Sequence, residues 1–318
     1  MKSFCISHRK DVDGLGSASL VVAATGADFL LSEYDDIIAN LGKVPPDTER
    51  FFLCDIGTDN ADAGQFTELM KGLAKRCRVT YIDHHLISEA TVNRLKRAGV
   101  KVVHDEKECA SILTYQTLQK ELPPGSHMMA LYGAVTDYMD DSPVATKLME
   151  KSDRHLVLLE ASMLSFALGR KAGKEGFPEM VVGELAKLKR PHEIDGVPAL
   201  ALEQVQDNTA LELVVKDEGK LKGRLAYMVT GEYSTGNVAK LLIGAFGVPV
   251  GLAMKEKTEG WFEVSLRSTS ECRVHLGRLI SRVSAQLGGS GGGHRKAAGC
   301  RVPVGMAEKM IDAVVRAV

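Results

Sequence analysis

The sequence predicts an α/β protein in two parts, an N-terminal doubly wound, mostly parallel sheet and a smaller C-terminal α/β domain. Three observations carry this expectation. Short apolar runs alternate with helix-like stretches through the first hundred residues, the pattern of βαβ units. Several of those runs hand over to acidic and imidazole side chains, at the strand ends where open sheets form ligand crevices. From about Ala199 the chain becomes strand-rich, after a stretch over residues 189–200 that carries Pro191, Gly196 and Pro198 and reads as a linker. The expected division is residues 1–188, linker, and residues 201–318.

Taken in order, Lys2 to Ser7 reads as the first buried strand and leads into His8-Arg9-Lys10-Asp11-Val12-Asp13-Gly14. Small residues from Ser17 to Ala24 read as a helix, and Ala27 to Leu31 as a second strand. Arg50 to Cys54 runs into Asp55, and Arg78 to Ile82 runs into Asp83-His84-His85. Asp62 to Arg76 and Ser88 to Ala98 are the intervening helices, with Val100 to Val103 as a last short strand. A further apolar stretch, Met128 to Val135, ends in Thr136-Asp137, with Asp140 and Asp141 just beyond and no role assigned to them. From Ser142 to about Leu188 the pattern is helical. Its Leu148, Leu156, Leu159, Met163 and Phe166 read as packing residues, either internal or on a homodimer face.

His192, in the linker, has no partner nearby in sequence and reads as a surface histidine. In the second part Leu211 to Lys216, Leu225 to Thr230, Val248 to Met254 and Trp261 to Leu266 read as strands. Gly236 to Phe246 and Val274 to Leu287 read as helices. A glycine run from Gly288 to Gly293 then precedes His294-Arg295-Lys296, a strand at Cys300 to Val302 and a terminal helix from Met306 to Ala317.

Composition narrows the function classes. With 40 basic against 41 acidic residues, the chain lacks the basic footprint that tracks long nucleic acid. The 6 cysteines are scattered without a C-x-x-C pair and read as free thiols in a reducing, cytoplasmic setting. No segment reaches the ~20 apolar residues of a membrane span.

The polar residues at the strand exits form a metal-type set: His8, Asp11, Asp13, Asp55, His84 and Asp137. Oxygen and imidazole without thiolate select a hard divalent ion such as Mn²⁺ or Mg²⁺. Two such ions about 3.5–4 Å apart activate water and hold both ends of an in-line phosphoryl displacement, and six ligands suffice if one carboxylate bridges. No side-chain nucleophile is then required. Glycine lets backbone amides approach an anion closely, so Gly291, Gly292 and Gly293 are candidates for a phosphate cradle. Arg267, ending its strand beside Ser268, can grip phosphate oxygens with its fork.

Taken together, His8-x-x-Asp11-x-Asp13, Asp55, Asp83-His84-His85 and Asp137 resemble the four motifs of the DHH phosphoesterases. Gly291-Gly292-Gly293-His294-x-x-Ala297-Ala298-Gly299 and Ser265-Leu266-Arg267-Ser268 are similar to signatures of the DHH-associated C-terminal domain. The resemblance spans nearly the whole chain. It implies two Mn²⁺ (or Mg²⁺) ions in a cleft between two domains. One would be held by His8, Asp11 and Asp55, the other by Asp13, Asp55, His84 and Asp137. It also implies that Asp83 orients its neighbours, that His85 faces the scissile phosphate, and that Arg267, Ser268, Gly291 to Gly293 and His294 bind substrate. Members of the family include RecJ-type exonucleases, nanoRNases, bisphosphonucleotide phosphatases and cyclic-dinucleotide phosphodiesterases. Balanced charge favours a short linear oligonucleotide or dinucleotide. The alternatives are a bisphosphonucleotide such as pAp, a cyclic dinucleotide, polyphosphate, or a nucleotide sensor without turnover. Tyr138-Met139-Asp140-Asp141 stands where the family often has Thr-Gly, and Ser290 enlarges the glycine run.

Overall fold

A computed structural model describes residues 1–57, 63–171, 174, 176–258 and 260–318. The chain divides into two compact units, Met1–Gln204 and Val205–Val318.

The first unit alternates β1 (Ser3–His8), α1 (Val12–Thr25), β2 (Asp28–Ser32), α2 (Ile37–Leu41), β3 (Arg50–Cys54), α3 (Ala63–Ala74), β4 (Arg78–Asp83), α4 (Glu89–Arg97) and β5 (Lys101–His104). The expected start of α3 at Asp62 lies outside the described residues. All five strands are parallel, in the order β2-β1-β3-β4-β5. That order reverses between β1 and β3, so a crevice opens at the carboxyl ends of those two strands.

Alternate strand residues serve opposite faces of the sheet. Cys5, Phe52, Cys54 and Ile82 pack with α1 and with the helices that follow β5. Ile6, Phe51, Leu53 and Tyr81 pack with α2, α3 and α4. Helices therefore cover both faces, which is why these strands read as continuous apolar runs.

Five helices follow: α5 (Ala110–Leu118), α6 (His127–Thr136), α7 (Pro143–Met149), α8 (Arg154–Lys171) and α9 (Phe177–Ala186). The apolar stretch ending at Asp137 is thus a helix, with Asp137 as its C-cap. Leu148 and Leu164 are buried in the unit, whereas Leu156 and Leu159 are 43% and 52% exposed. Residues 189–200 contain a single turn at Pro191–Glu193 and the start of α10 (Val197–Glu218), which runs across the boundary between the units.

The second unit contains the end of α10, β6 (Lys220–Lys222), β7 (Leu225–Val229), α11 (Thr235–Phe246), β8 (Val250–Thr258), β9 (Trp261–Ser268), α12 (Leu276–Gln286), β10 (Ser290–Gly293), β11 (Ala297–Pro303) and α13 (Ala307–Ala317). Its mixed sheet has the order β10-β11-β9-β8-β7-β6. The expected strand at Leu211 to Lys216 is helix. Leu211 and Val215, four apart on one face, bury against Val238 and Leu242 of α11, and tertiary packing overrides the β-branched pair Val214-Val215.

The glycine run is also not an open loop. Ser290–Gly293 pairs antiparallel with β11 as an edge strand. A Cβ on Gly277 of α12 would lie 1.9 Å from the Gly293 carbonyl, and one on Gly291 would lie 2.2 Å from Cys300 Cβ. These glycines let a helix and two strands approach closely.

Candidate metal centre

Asp11 caps α1: its Oδ1 accepts from the Gly14 amide at 2.9 Å, while its Oδ2 lies 2.6 Å from His8 Nδ1. One oxygen serves the helix and the other faces the imidazole, so capping and ligation are compatible in one side chain. His8 Nδ1 also lies 3.7 Å from Asp55 Oδ2.

Asp13, in the first turn of α1, is fully buried. Its oxygens accept from the first two amides of α5, Ala110 at 2.8 Å and Ser111 at 2.9 Å. The positive end of a helix is a favourable place for a carboxylate. Asp137 has the opposite setting, since a helix C-terminus disfavours an anion. Burial, then the Asp13 carboxylate, push its pKa well above the ordinary value against the opposing charge of His84, and a divalent cation bound here would favour the ionised form.

His84 joins these groups. Its Nε2 lies 3.3 Å from Asp55 Oδ1, 3.3 Å from Asp137 Oδ2 and 3.6 Å from Asp13 Oδ2. Two sets result, His8-Asp11-Asp55 and Asp13-His84-Asp137, each offering ligand atoms within 4.8 Å of one another. Asp55 turns one oxygen toward each set. It does so from a backbone with φ of 55°, a left-handed conformation costly for a residue with a side chain and typical of functional positions.

The donor chemistry fits divalent cations. All ion-pair partners of the four carboxylates are imidazoles, and buried Asp55 Oδ2 has no hydrogen-bond partner among the described residues. Burial, then the charges of Asp11 and Asp13, push the Asp55 carboxyl up to about 6. Burial would lower His8, but the Asp11 and Asp55 carboxylates outweigh it and hold the imidazole at about 10. Bound cations would push both values back down, because a ligand must be deprotonated to bind.

Beside it, Asp83 fixes His85: Oδ1 lies 2.8 Å from His85 Nδ1, and Oδ2 accepts from the His85 amide at 3.2 Å and from the Tyr81 hydroxyl at 3.0 Å. Burial would raise Asp83, yet His85 and Tyr81 hold it at about 2. Nδ1 being committed, it is through Nε2 that the ring reaches beyond Asp83. That nitrogen lies 3.1 Å from the hydroxyl of Tyr34.

The other expected site residues belong to the second unit. Arg267 is the register partner of Ala297, whose carbonyl accepts from the His294 amide at 2.7 Å, so Arg267, Ser268 and His294 gather at one end of that sheet. Carbonyls of His294 and Arg295 accept from the first amides of α12, Gly277 and Leu276, each at 3.0 Å. These two carbonyls are thereby used within the fold, tying the start of α12 to the turn after β10.

His192 is not a plain surface histidine. It is half exposed, but its Nδ1 lies 2.7 Å from Oε1 of fully buried Glu160, which also accepts from Arg190 and Tyr132. The partner is 32 residues away in sequence, beyond the reach of local spacing. Asp140 faces Arg154 at 3.7 Å at the surface.

Two residues escaped the sequence reading. Gly133 of α6 leaves room for Asp13, since a Cβ there would lie 2.4 Å from Asp13 Oδ1 and 2.2 Å from Ser111 Oγ. Tyr34 opens a single-turn helix just after β2, and its position at a fourth strand exit was the available signal.

Residues 3–139 match the family model described as DHH family, N-terminal domain, and residues 230–318 match the DHHA1 domain. No curated protein matches the chain. Among solved structures, the chain is similar to a pGpG-specific phosphodiesterase, PggH, from Vibrio cholerae, at 14% identity and a TM-score of 0.58, covering 99% of this chain and 98% of that one. It is similar to the DHH domain of a member of a ribosomal protein family, at 16% identity and a TM-score of 0.73, covering 99% and 86%. RecJ from Thermus thermophilus in complex with Mn²⁺ shares 18% identity and a TM-score of 0.67, and the 99% of this chain that aligns covers 52% of RecJ. At these identities the likeness is one of fold. No helix among the described residues is long and apolar enough to cross a membrane.

Proposed function

Because the chain belongs to the DHH family, and is on that ground a phosphoesterase, we propose that it hydrolyses short linear oligonucleotides, dinucleotides among them, to mononucleotides with two divalent ions. The observation that carries this reading is the joining of two carboxylate–imidazole sets through the two oxygens of Asp55, with His85 beside them.

In this reading His8, Asp11 and Asp55 hold one ion, and Asp13, Asp55, His84 and Asp137 hold the other. Oxygen and imidazole donors suit Mn²⁺, the ion in the RecJ structure, with Mg²⁺ the substitute. When bound, such ions lower the pKa of water and draw charge from phosphoryl oxygens. The side chains do the rest. Asp83 stays ionised and holds His85 by Nδ1, which leaves Nε2 to face the reacting phosphate. Burial would lower His85, but Asp83 outweighs it and raises its pKa, favouring a ring able to give a proton to the leaving oxygen. Arg267, Ser268, Gly291, Gly292, Gly293 and His294 are the proposed substrate ligands, with the Arg267 fork on a phosphate.

Two facts favour a short substrate. Formal net charge is −1, against the many cationic contacts that a long strand requires. PggH, matched over 98% of its length, is named for a linear dinucleotide.

The test is initial rates with Mn²⁺ on linear dinucleotides, longer oligonucleotides, long single-stranded DNA, pAp and cyclic dinucleotides. Linear dinucleotides should be fastest, with turnover falling steeply by roughly ten residues and a salt slope of about two or three phosphate contacts. Comparable processive degradation of long single strands would replace this reading with a RecJ-like one. Faster turnover of pAp or a cyclic dinucleotide would replace it with that activity.

A further inference from the structure

Tyr34 touches both imidazoles that matter most at the centre, although they come from different strands. Its ring stacks on His8, with centroids 4.3 Å apart and planes at 29°, and meets His85 edge-on, with centroids 5.6 Å apart and planes at 78°. Its hydroxyl lies 3.1 Å from His85 Nε2. The ring of His8 is thereby fixed on one side by Asp11 and over its face by Tyr34. His85 is fixed at Nδ1 by Asp83 and at Nε2 by Tyr34.

We propose that Tyr34 is a positioning residue for phosphodiester cleavage, its ring setting the plane of His8 and its hydroxyl setting the direction in which His85 Nε2 points. This rests on the reading above, in which His8 holds an ion and His85 faces the substrate. An imidazole nitrogen has one in-plane hydrogen-bonding direction. Tyr34 fills it here, so a phosphate oxygen arriving on that nitrogen replaces the hydroxyl and finds the ring already aimed. The two contacts are separable by substitution. Tyr34→Phe keeps the stack on His8 and removes the hydroxyl, while Tyr34→Leu removes both.

The experiment combines calorimetric Mn²⁺ binding, imidazole nitrogen NMR of the substrate-free protein, and steady-state kinetics on a linear dinucleotide. Tyr34→Phe should shift the His85 nitrogen resonances, leave Mn²⁺ affinity unchanged, and lower kcat about tenfold with KM changed less than about twofold, as expected for a group misaimed by a fraction of an ångström. Tyr34→Leu should in addition weaken Mn²⁺ binding about tenfold, as loss of a support to a ligand does. Unchanged His85 resonances and wild-type kcat in Tyr34→Phe would overturn the proposal, as would equal Mn²⁺ affinity in Tyr34→Leu and Tyr34→Phe. Failure of the underlying reading shows elsewhere, as wild-type turnover in His85→Ala.

Discussion

Replacing Gly133 by Ala pits a favourable local effect against an unfavourable one. In a helix interior, Ala is preferred to Gly by about 1 kcal/mol. Here the new Cβ would lie 2.2 Å from Ser111 Oγ, 2.4 Å from Asp13 Oδ1 and 3.0 Å from Asp13 Cα, against an ordinary contact of 3.4 Å or more. Neither neighbour can swing away cheaply. Ser111 Oγ donates to the Ala130 carbonyl at 3.1 Å, and the Asp13 oxygens hold the α5 amides. Asp13 must therefore retreat by roughly 1 Å, a displacement that costs about 1–3 kcal/mol in overpacked cores, with a further ~1–3 kcal/mol for each amide bond it breaks. The clash outweighs helix propensity, and a net loss of about 2 kcal/mol should lower the melting temperature of the metal-free protein by about 4–8 °C. A ligand moved by about 1 Å should also weaken Mn²⁺ binding and turnover by about a hundredfold. Differential scanning calorimetry and Mn²⁺ titration check both. A Gly133→Ala protein as stable as wild type, with unchanged Mn²⁺ affinity, would show that α6 does not confine Asp13.

Asp55→Asn should be the most damaging conservative change at the centre, reducing Mn²⁺ stoichiometry and turnover together. Asn tolerates the left-handed backbone, so a folded variant with two ions and near-wild-type rate would remove the shared-ligand assignment. Arg267→Ala and His294→Ala should raise KM about tenfold or more while leaving Mn²⁺ binding intact, because a lost charge-assisted contact is worth about 1.5–3 kcal/mol; loss of bound metal in either folded variant would contradict that division. Mn²⁺ affinity should rise with pH, since the ion competes with protons held by Asp55 up to about 6 and by His8 up to about 10. Between about pH 6 and 8 the imidazole protons dominate, that of His8 at one ion and that of His84, also raised against burial by its carboxylate neighbours, at the other. Affinity at each should climb by about tenfold per unit for one proton displaced. A flat calorimetric profile over that range would show that His8 is not titrating against the ion.

The first unit was legible because strand and chemistry coincide. Phe51 to Cys54, and Val79, Tyr81 and Ile82, are buried in the two inner strands β3 and β4, so Asp55 and Asp83 are left at a common edge. What joins distant segments was not legible. That Asp13 holds the amides of α5 depends on a pairing across 97 and 98 residues, and Gly133 matters only once α6 lies against α1. Leu211 to Lys216 misled because a β-branched pair within an apolar run favours strand locally, while the residues four apart that α11 covers decide for helix. His192 misled for the same reason as Asp13, its partner Glu160 being placed by the fold alone.

The tight stacking of α12 on β10 and β11 bears on how tolerant this segment is to change. In a saturation scan, Gly277, Gly289, Gly291 and Gly293 would all score as intolerant, because a methyl group on each would meet backbone or Cβ atoms at 1.9 to 2.6 Å. Such a profile looks like a recognition signature even if no ligand ever touches it. Gly292 stands apart, with nothing within 4 Å of an added Cβ and no left-handed backbone. Intolerance at that one position would report a demand for bare backbone from outside the fold, and it is there that selection for a ligand can be told from selection for packing.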